Sequence, residues 1–178
     1  MRWFWIDRFT EFVSGKHAKA VKAVSLAEEA VDEYAPGATY LPASLLIEGT
    51  AQCGGLLVAQ LSDFRNRTVL AKVGNVTFHQ QAYPGSVVAF DVQITSVQPN
   101  GAFVSAQLTC NDKPLAELDL MFAFLTDDRF DDVTLFEPAA LLRMCRLMRM
   151  FEVGKYEDGT PLKIPQYMLD AEKAELSV

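Results

Sequence analysis

Glu48 is the single carboxylate in the stretch "ASLLIEGTAQCGGLLVAQL" (43–61), where the only other ionisable group is the thiol of Cys53. Ser44 lies four residues before it and Gln52 four after, a spacing that gathers side chains on one helical face. A carboxyl surrounded by apolar groups is costly as an anion and favours its neutral acid form. Such a group suits general acid–base chemistry, in which a proton is delivered or removed near neutral pH. Gln52 is spaced to orient it by an i,i+4 hydrogen bond. The plainer alternative is a satisfied polar stripe, Ser44–Glu48–Gln52, inside a core. Cys53 reads as a small core residue, since no histidine stands near it in sequence to activate it.

The element that carries Glu48 is a long apolar helix. Pro42 fits its first turn, where a missing N–H costs nothing. Gly49, Ala51, Cys53, Gly54, Gly55 and Ala59 are small. Each glycine costs about 1 kcal/mol in a helix interior, so three of them need a packing reason, and close approach of a sheet supplies one. A helix apolar nearly all round is expected to be buried. Strands surround it: an aromatic, β-rich stretch at 2–13, then "SGK" as a turn, then "AKAVKAVSLA", and after the helix the alternating segments 69–80, 86–97, 102–110 and 115–125. Asn100-Gly101 and Asn111-Asp112 mark hairpin turns. The segment "AEEAVDEYAPG" reads as a short helix or turn. An antiparallel meander wrapped around one central helix is an α+β hotdog fold. Residues 1–135 are expected to form it. Residues 136–178 would add an amphipathic helix near 137–151, with Leu141, Met144, Cys145, Met148 and Phe151 on one face, and a loosely packed or fraying tail.

Half of the 178 residues are hydrophobic, enough for one compact domain with its own core. The net charge of −7 argues against non-specific nucleic-acid binding. Cys53, Cys110 and Cys145 are odd in number and scattered, and His17 and His79 do not cluster with them. Free thiols in a reducing compartment are expected, with no structural metal. The apolar run at 45–61 holds Glu48, Gln52 and Gln60, which fits a core helix better than a membrane span. A cytoplasmic setting follows. His17 is expected to be solvated. His79, in a strand, is expected to be structural, though it is the one histidine with a chance of reaching an active site.

Residues 6–125 resemble the (3R)-hydroxyacyl-[acyl-carrier-protein] dehydratases of fatty acid synthesis. The resemblance rests on "WIDRFTEFVSGKHAKAVKAVSLAEE", on "PGATYLPASLLIEGTAQCGG" and on "VTFHQQAYPGSVVAFDVQI". The second stretch is similar to the family's active-site pattern H-F-P-G-x-P-V-M-P-G-x-L-x-x-E-A-x-A-Q. The resemblance puts the family's catalytic carboxylate on Glu48 and its histidine, 14 positions earlier, on Tyr34. Ala43 stands where the family has a glycine whose N–H helps bind the thioester carbonyl, and alanine keeps that N–H. By the same resemblance Pro42, Ala43, Ser44 and Gln52 border the substrate. The unit would be a homodimer with a shared, continuous sheet, and a trimer of dimers is compatible with it. Tyr34 of one subunit would face Glu48 of the other across an acyl tunnel. No cofactor is implied.

Dehydration of a 3-hydroxyacyl thioester removes a proton from C2 and hydroxide from C3. Tyrosine, with a pKa of about 10, is a poor base at neutral pH. It can donate a hydrogen bond to the thioester oxygen, leaving Glu48 as sole acid–base group. Three readings stay open: an atypical dehydratase, a catalytically silent protein that binds acyl thioesters or assists an active paralogue, and a thioesterase using Glu48. The expected partner is an acyl carrier protein or an acyl coenzyme A. A carrier protein is acidic and needs a local positive patch. Arg143, Arg146 and Arg149 form one candidate, against the alternative of an ordinary solvated face; Arg65, Arg67 and Lys72 form another.

Overall fold

The computed structural model describes residues 4–28, 31, 39–125 and 135–177. Period-two alternation becomes a seven-stranded sheet: β1 (Arg8–Val13), β2 (His17–Ala23), β3 (Thr68–Phe78), β4 (Val87–Gln98), β5 (Gly101–Cys110), β6 (Lys113–Phe124) and the short β7 (Gly154–Lys155). The strand order is β3-β6-β5-β4-β2-β1-β7. Every pairing is antiparallel except β1 with β7. In β5, Ala102, Val104, Ala106 and Leu108 are buried on one face, while Phe103 and Gln107 stay exposed on the other. That single buried face packs on α1 (Ala43–Gln60). The arrangement is the expected α+β hotdog.

The small residues of α1 meet the sheet as their size requires. A Cβ on Gly49 would lie 2.9 Å from the Trp5 carbonyl oxygen and 3.0 Å from the Phe90 ring. On Gly54 it would lie 3.2 Å from the Phe122 ring. Pro42 is the N-cap, one position before the expected first turn, and its carbonyl accepts the N–H groups of Leu45 and Leu46.

Three expectations need correction. The hairpin after β4 turns at Pro99-Asn100, because Gln98 pairs with Gly101. Gly101 is instead needed inside β5, where a Cβ would sit 2.1 Å from the Phe122 carbonyl oxygen. The C-terminal helix does not run on to Phe151. It divides into α2 (Pro138–Leu147) and α3 (Met150–Val153), with Arg149 left-handed at φ 59° between them. The N–H of Phe9 in β1 takes the Met148 carbonyl at 2.8 Å, which draws the chain out of its helical path. The tail does not fray. It forms β7 and a further helix, α4 (Gln166–Leu176), whose Met168 is fully buried. The Asn111-Asp112 turn is as expected, with both residues at positive φ. The "AEEAVDEYAPG" segment, residues 27–37, lies mostly outside the described residues, and Tyr34 with it. No helix among the described residues is long and apolar enough to cross a membrane.

Candidate active site

The two faces of α1 have different fates. Leu46, Gly49, Thr50, Cys53, Gly54, Leu57 and Val58 are buried, most of them toward the sheet. Ser44, Glu48, Gln52, Gly55 and Ala59 follow one another at i+3 and i+4 along a more open face. Glu48 is therefore exposed in the single chain, which corrects the burial expected of it. An apolar helix is expected to be buried on all sides, yet four of this face's residues, Glu48, Gln52, Gly55 and Ala59, are exposed or only partly covered. They border a cleft of about 840 Å³.

Gln52 holds Glu48 at one end of that cleft. Its Oε1 accepts the backbone N–H of Trp5 at 2.9 Å, and its Nε2 donates to Glu48 Oε1 at 3.3 Å. This is the expected i,i+4 link, with an anchor from outside the helix that the sequence did not announce. Ser44 is exposed and no hydrogen bond joins it to Glu48 among the described residues, so the polar stripe is not continuous. Ala43 is exposed at the helix N-terminus, where N–H groups lack intrahelical partners and the dipole favours negative charge. It has no positive φ, so the side chain costs no strain there.

The rest of the cleft comes from distant elements. Arg65, Asn66, Arg67 and Thr68 form one border as the chain leaves α1 and enters β3. Phe122 of β6 lines it too, as do Leu141, Met144 and Met148 from the C-terminal region. The helical spacing of these last three was legible in the sequence, but their destination was not. Lys72, on β3, is exposed and does not line the cleft.

The other candidates fall elsewhere. Arg143 pairs with Glu175 at 2.5 Å, Arg146 with Glu172, and Arg149 with Glu152 at 2.7 Å, so a carboxylate faces each member of the stripe. His79 lies outside the cleft with Nε2 3.4 Å from Glu117. His17 is half-buried, so only partly solvated, and lies 3.1 Å from Glu11. The hydrogen bond from His17 holds the Glu11 carboxyl below its usual range. Cys53 is fully buried, and burial pushes its thiol up, away from thiolate chemistry. Among the described residues no group of His, Cys, Asp or Glu is arranged to hold a metal ion.

Known proteins share this framework. The FabA-like domain family matches residues 3–118. A 3-hydroxyacyl-[acyl-carrier-protein] dehydratase, FabZ, of Lawsonia intracellularis is 33% identical over 129 residues, covering 70% of this chain and 84% of its own. Among solved structures, the dehydratase heterocomplex ApeI:P of Xenorhabdus doucetiae superposes with a TM-score of 0.58 at 15% identity, over 79% of this chain and 88% of that one. A Streptococcus mutans UA159 protein bound to acetyl CoA superposes with a TM-score of 0.57 at 13% identity, over 70% and 92%. These two likenesses are of fold. With a match through most of the hotdog and a dehydratase relative above 30% identity, the chain belongs to the FabA-like family of hydroxyacyl-[acyl-carrier-protein] dehydratases.

Proposed function

We propose that the protein is an atypical 3-hydroxyacyl-thioester dehydratase of fatty acid or lipid biosynthesis, working in the cytoplasm as a homodimer. The observation that carries this reading is Glu48, fixed by Gln52 at the end of a largely apolar cleft. The dehydratase relative supports the reaction class. In the reaction, Glu48 takes the C2 proton and the C2–H electron pair forms the C2=C3 double bond. The C3–O bond breaks, and Glu48 returns the proton to the departing hydroxide, releasing water. Gln52 occupies one carboxylate oxygen and leaves the other, Oε2, for this transfer. The Ala43 N–H and the Tyr34 hydroxyl of the partner subunit polarise the thioester carbonyl, with Pro42 and Ser44 bordering the substrate.

The dimer is the natural cover for an exposed Glu48. Among the described residues β3 pairs only with β6, which leaves its outer edge open, and Val73 and Phe78 are exposed along it. Pairing two β3 strands makes one continuous sheet. The carrier, an acyl carrier protein or coenzyme A, docks at Arg65, Arg67 and Lys72. Arg143, Arg146 and Arg149 are a weaker site, since glutamates already face them.

The test is hydration of a crotonyl thioester, the reverse reaction, followed by loss of enoyl absorbance. Wild-type turnover that falls about 10²–10⁴-fold in Glu48→Gln supports the reading. A second reading is favoured by one observation: no histidine borders the cleft among the described residues. It makes the protein a silent acyl-thioester binder or accessory subunit. An inactive wild type with an active Tyr34→His variant would select it. Release of free thiol, abolished in Glu48→Gln, would select a thioesterase.

A further inference from the structure

The family match ends at residue 118, and α2, α3 and α4 lie beyond it. These helices nevertheless reach the candidate site. Leu141, Met144 and Met148 wall the cleft that holds Glu48. The turn leaving α1 is also held from this extension. Asp63 and Phe64 stand at φ 51° and 60°, a region that non-glycine residues seldom enter. The Tyr167 hydroxyl donates to the Asp63 carbonyl at 2.9 Å, and Phe64 packs edge-on against Phe151. The guanidinium of Arg65 lies 4.7 Å from the Tyr167 ring centre. A ring face attracts a cation without neutralising it, whereas carboxylates oppose Arg143, Arg146 and Arg149. The extension thus fixes Arg65 at the cleft border with its charge available.

The shape of the cleft narrows what fits. Along α1, Glu48 is eleven residues from Ala59, about 16 Å at 1.5 Å per residue, and Arg65 lies beyond. A ligand joining the carboxylate to the guanidinium must be long and anionic at the guanidinium end. We propose that the C-terminal extension is part of the substrate site, with Tyr167 a positioning residue that sets Arg65 to take the phosphate of the carrier's pantetheine arm, while α2 walls the slot through which that arm reaches Glu48. This rests on the thioester reading above.

The test uses the full chain and two probes that differ only in the phosphate, S-butyryl 4′-phosphopantetheine and S-butyryl pantetheine, titrated calorimetrically. A hydrogen-bonded charge pair corresponds to about a ten- to hundredfold gap in affinity in favour of the phosphorylated probe. That gap is expected in the wild type, retained in Tyr167→Phe, and reduced below about threefold in Arg65→Gln and in Tyr167→Leu. No gap in the wild type, or a gap that survives in Arg65→Gln, overturns the inference; so does one that survives in a folded Tyr167→Leu. If Tyr167→Leu fails to fold, Arg65→Gln decides. Crotonyl turnover is scored separately. A gap set by Arg65 without turnover keeps this inference and removes the dehydratase, and turnover without a gap does the reverse.

Discussion

Gln52 touches Glu48 with its amide nitrogen because its oxygen is already committed to the N–H of Trp5. The backbone of the N-terminal segment therefore decides which end of the amide the carboxylate meets. The contact is directional, and each half of it can be removed separately.

Gln52→Leu removes the acceptor of the Trp5 N–H and the donor to Glu48 together. The expected cost is about 1–3 kcal/mol of stability, read as a lower urea midpoint. Gln52→Glu keeps an acceptor for Trp5 but sets a second carboxylate beside Glu48. It is expected to hold most of the stability and to lose about tenfold or more in crotonyl-thioester turnover, a step of roughly 1.4 kcal/mol in the barrier.

Gly49→Ala would gain about 1 kcal/mol of helix propensity in a free helix. Here the new methyl meets the Trp5 carbonyl oxygen and the Phe90 ring. Overpacking of this kind costs about 1–3 kcal/mol, so the variant is expected to unfold at lower denaturant than the wild type. An unchanged or higher midpoint would mean that the helix and the N-terminal segment are not in close contact.

Val73 and Phe78 are already exposed on β3, so replacing both with lysine should leave the single chain folded. Edge lysines oppose strand pairing. Sedimentation velocity at micromolar concentration is expected to give a dimer for the wild type and a monomer for the double variant. A wild-type monomer would remove the shared site and the role given to Tyr34.

Burial pushes the Cys145 thiol up from 9.0 to about 12. An unfolded chain ionises this group near pH 9 and the folded one does not, so the unfolded state binds fewer protons as pH rises. The stability tied to Cys145 is fully present below pH 9 and is lost between about pH 9 and 12. Urea titrations at pH 8 and pH 10.5 are expected to show a fall that is shallower in Cys145→Ala. Equal slopes would mean that Cys145 is reached by solvent.

The hotdog was readable because its signals are local: alternation in the strands, turn residues at 111–112, and small residues in a helix that a sheet must approach. The Gln52–Glu48 link was readable for the same reason, being one turn long. Glu48's exposure was not, because apolarity all round a helix does not say which neighbour arrives on which side. The anchor at Trp5 and the wall at Met144 and Met148 were hidden too. Each joins segments far apart in the chain, 47 residues in the case of Trp5 and Gln52. The arginine stripe misled by the same route: the glutamate partners of Arg143 and Arg146 stand on α4, a helix that the Gly- and Pro-containing tail gave no reason to expect.

β7 is only two residues long, but it pairs with Phe12 and Val13 while the Met148 carbonyl takes the N–H of Phe9. Between them they occupy the β1 side of the sheet, and among the described residues β3 is left as the open edge. In the language of polymerisation, the proposed β3 pairing would make the chain a monofunctional monomer, with one reactive end and one stopper. Two such units joined at β3 have no further end to offer, so growth terminates at the first step. On that proposal, the C-terminal segment that walls the cleft also stops edge pairing from running on into a fibre.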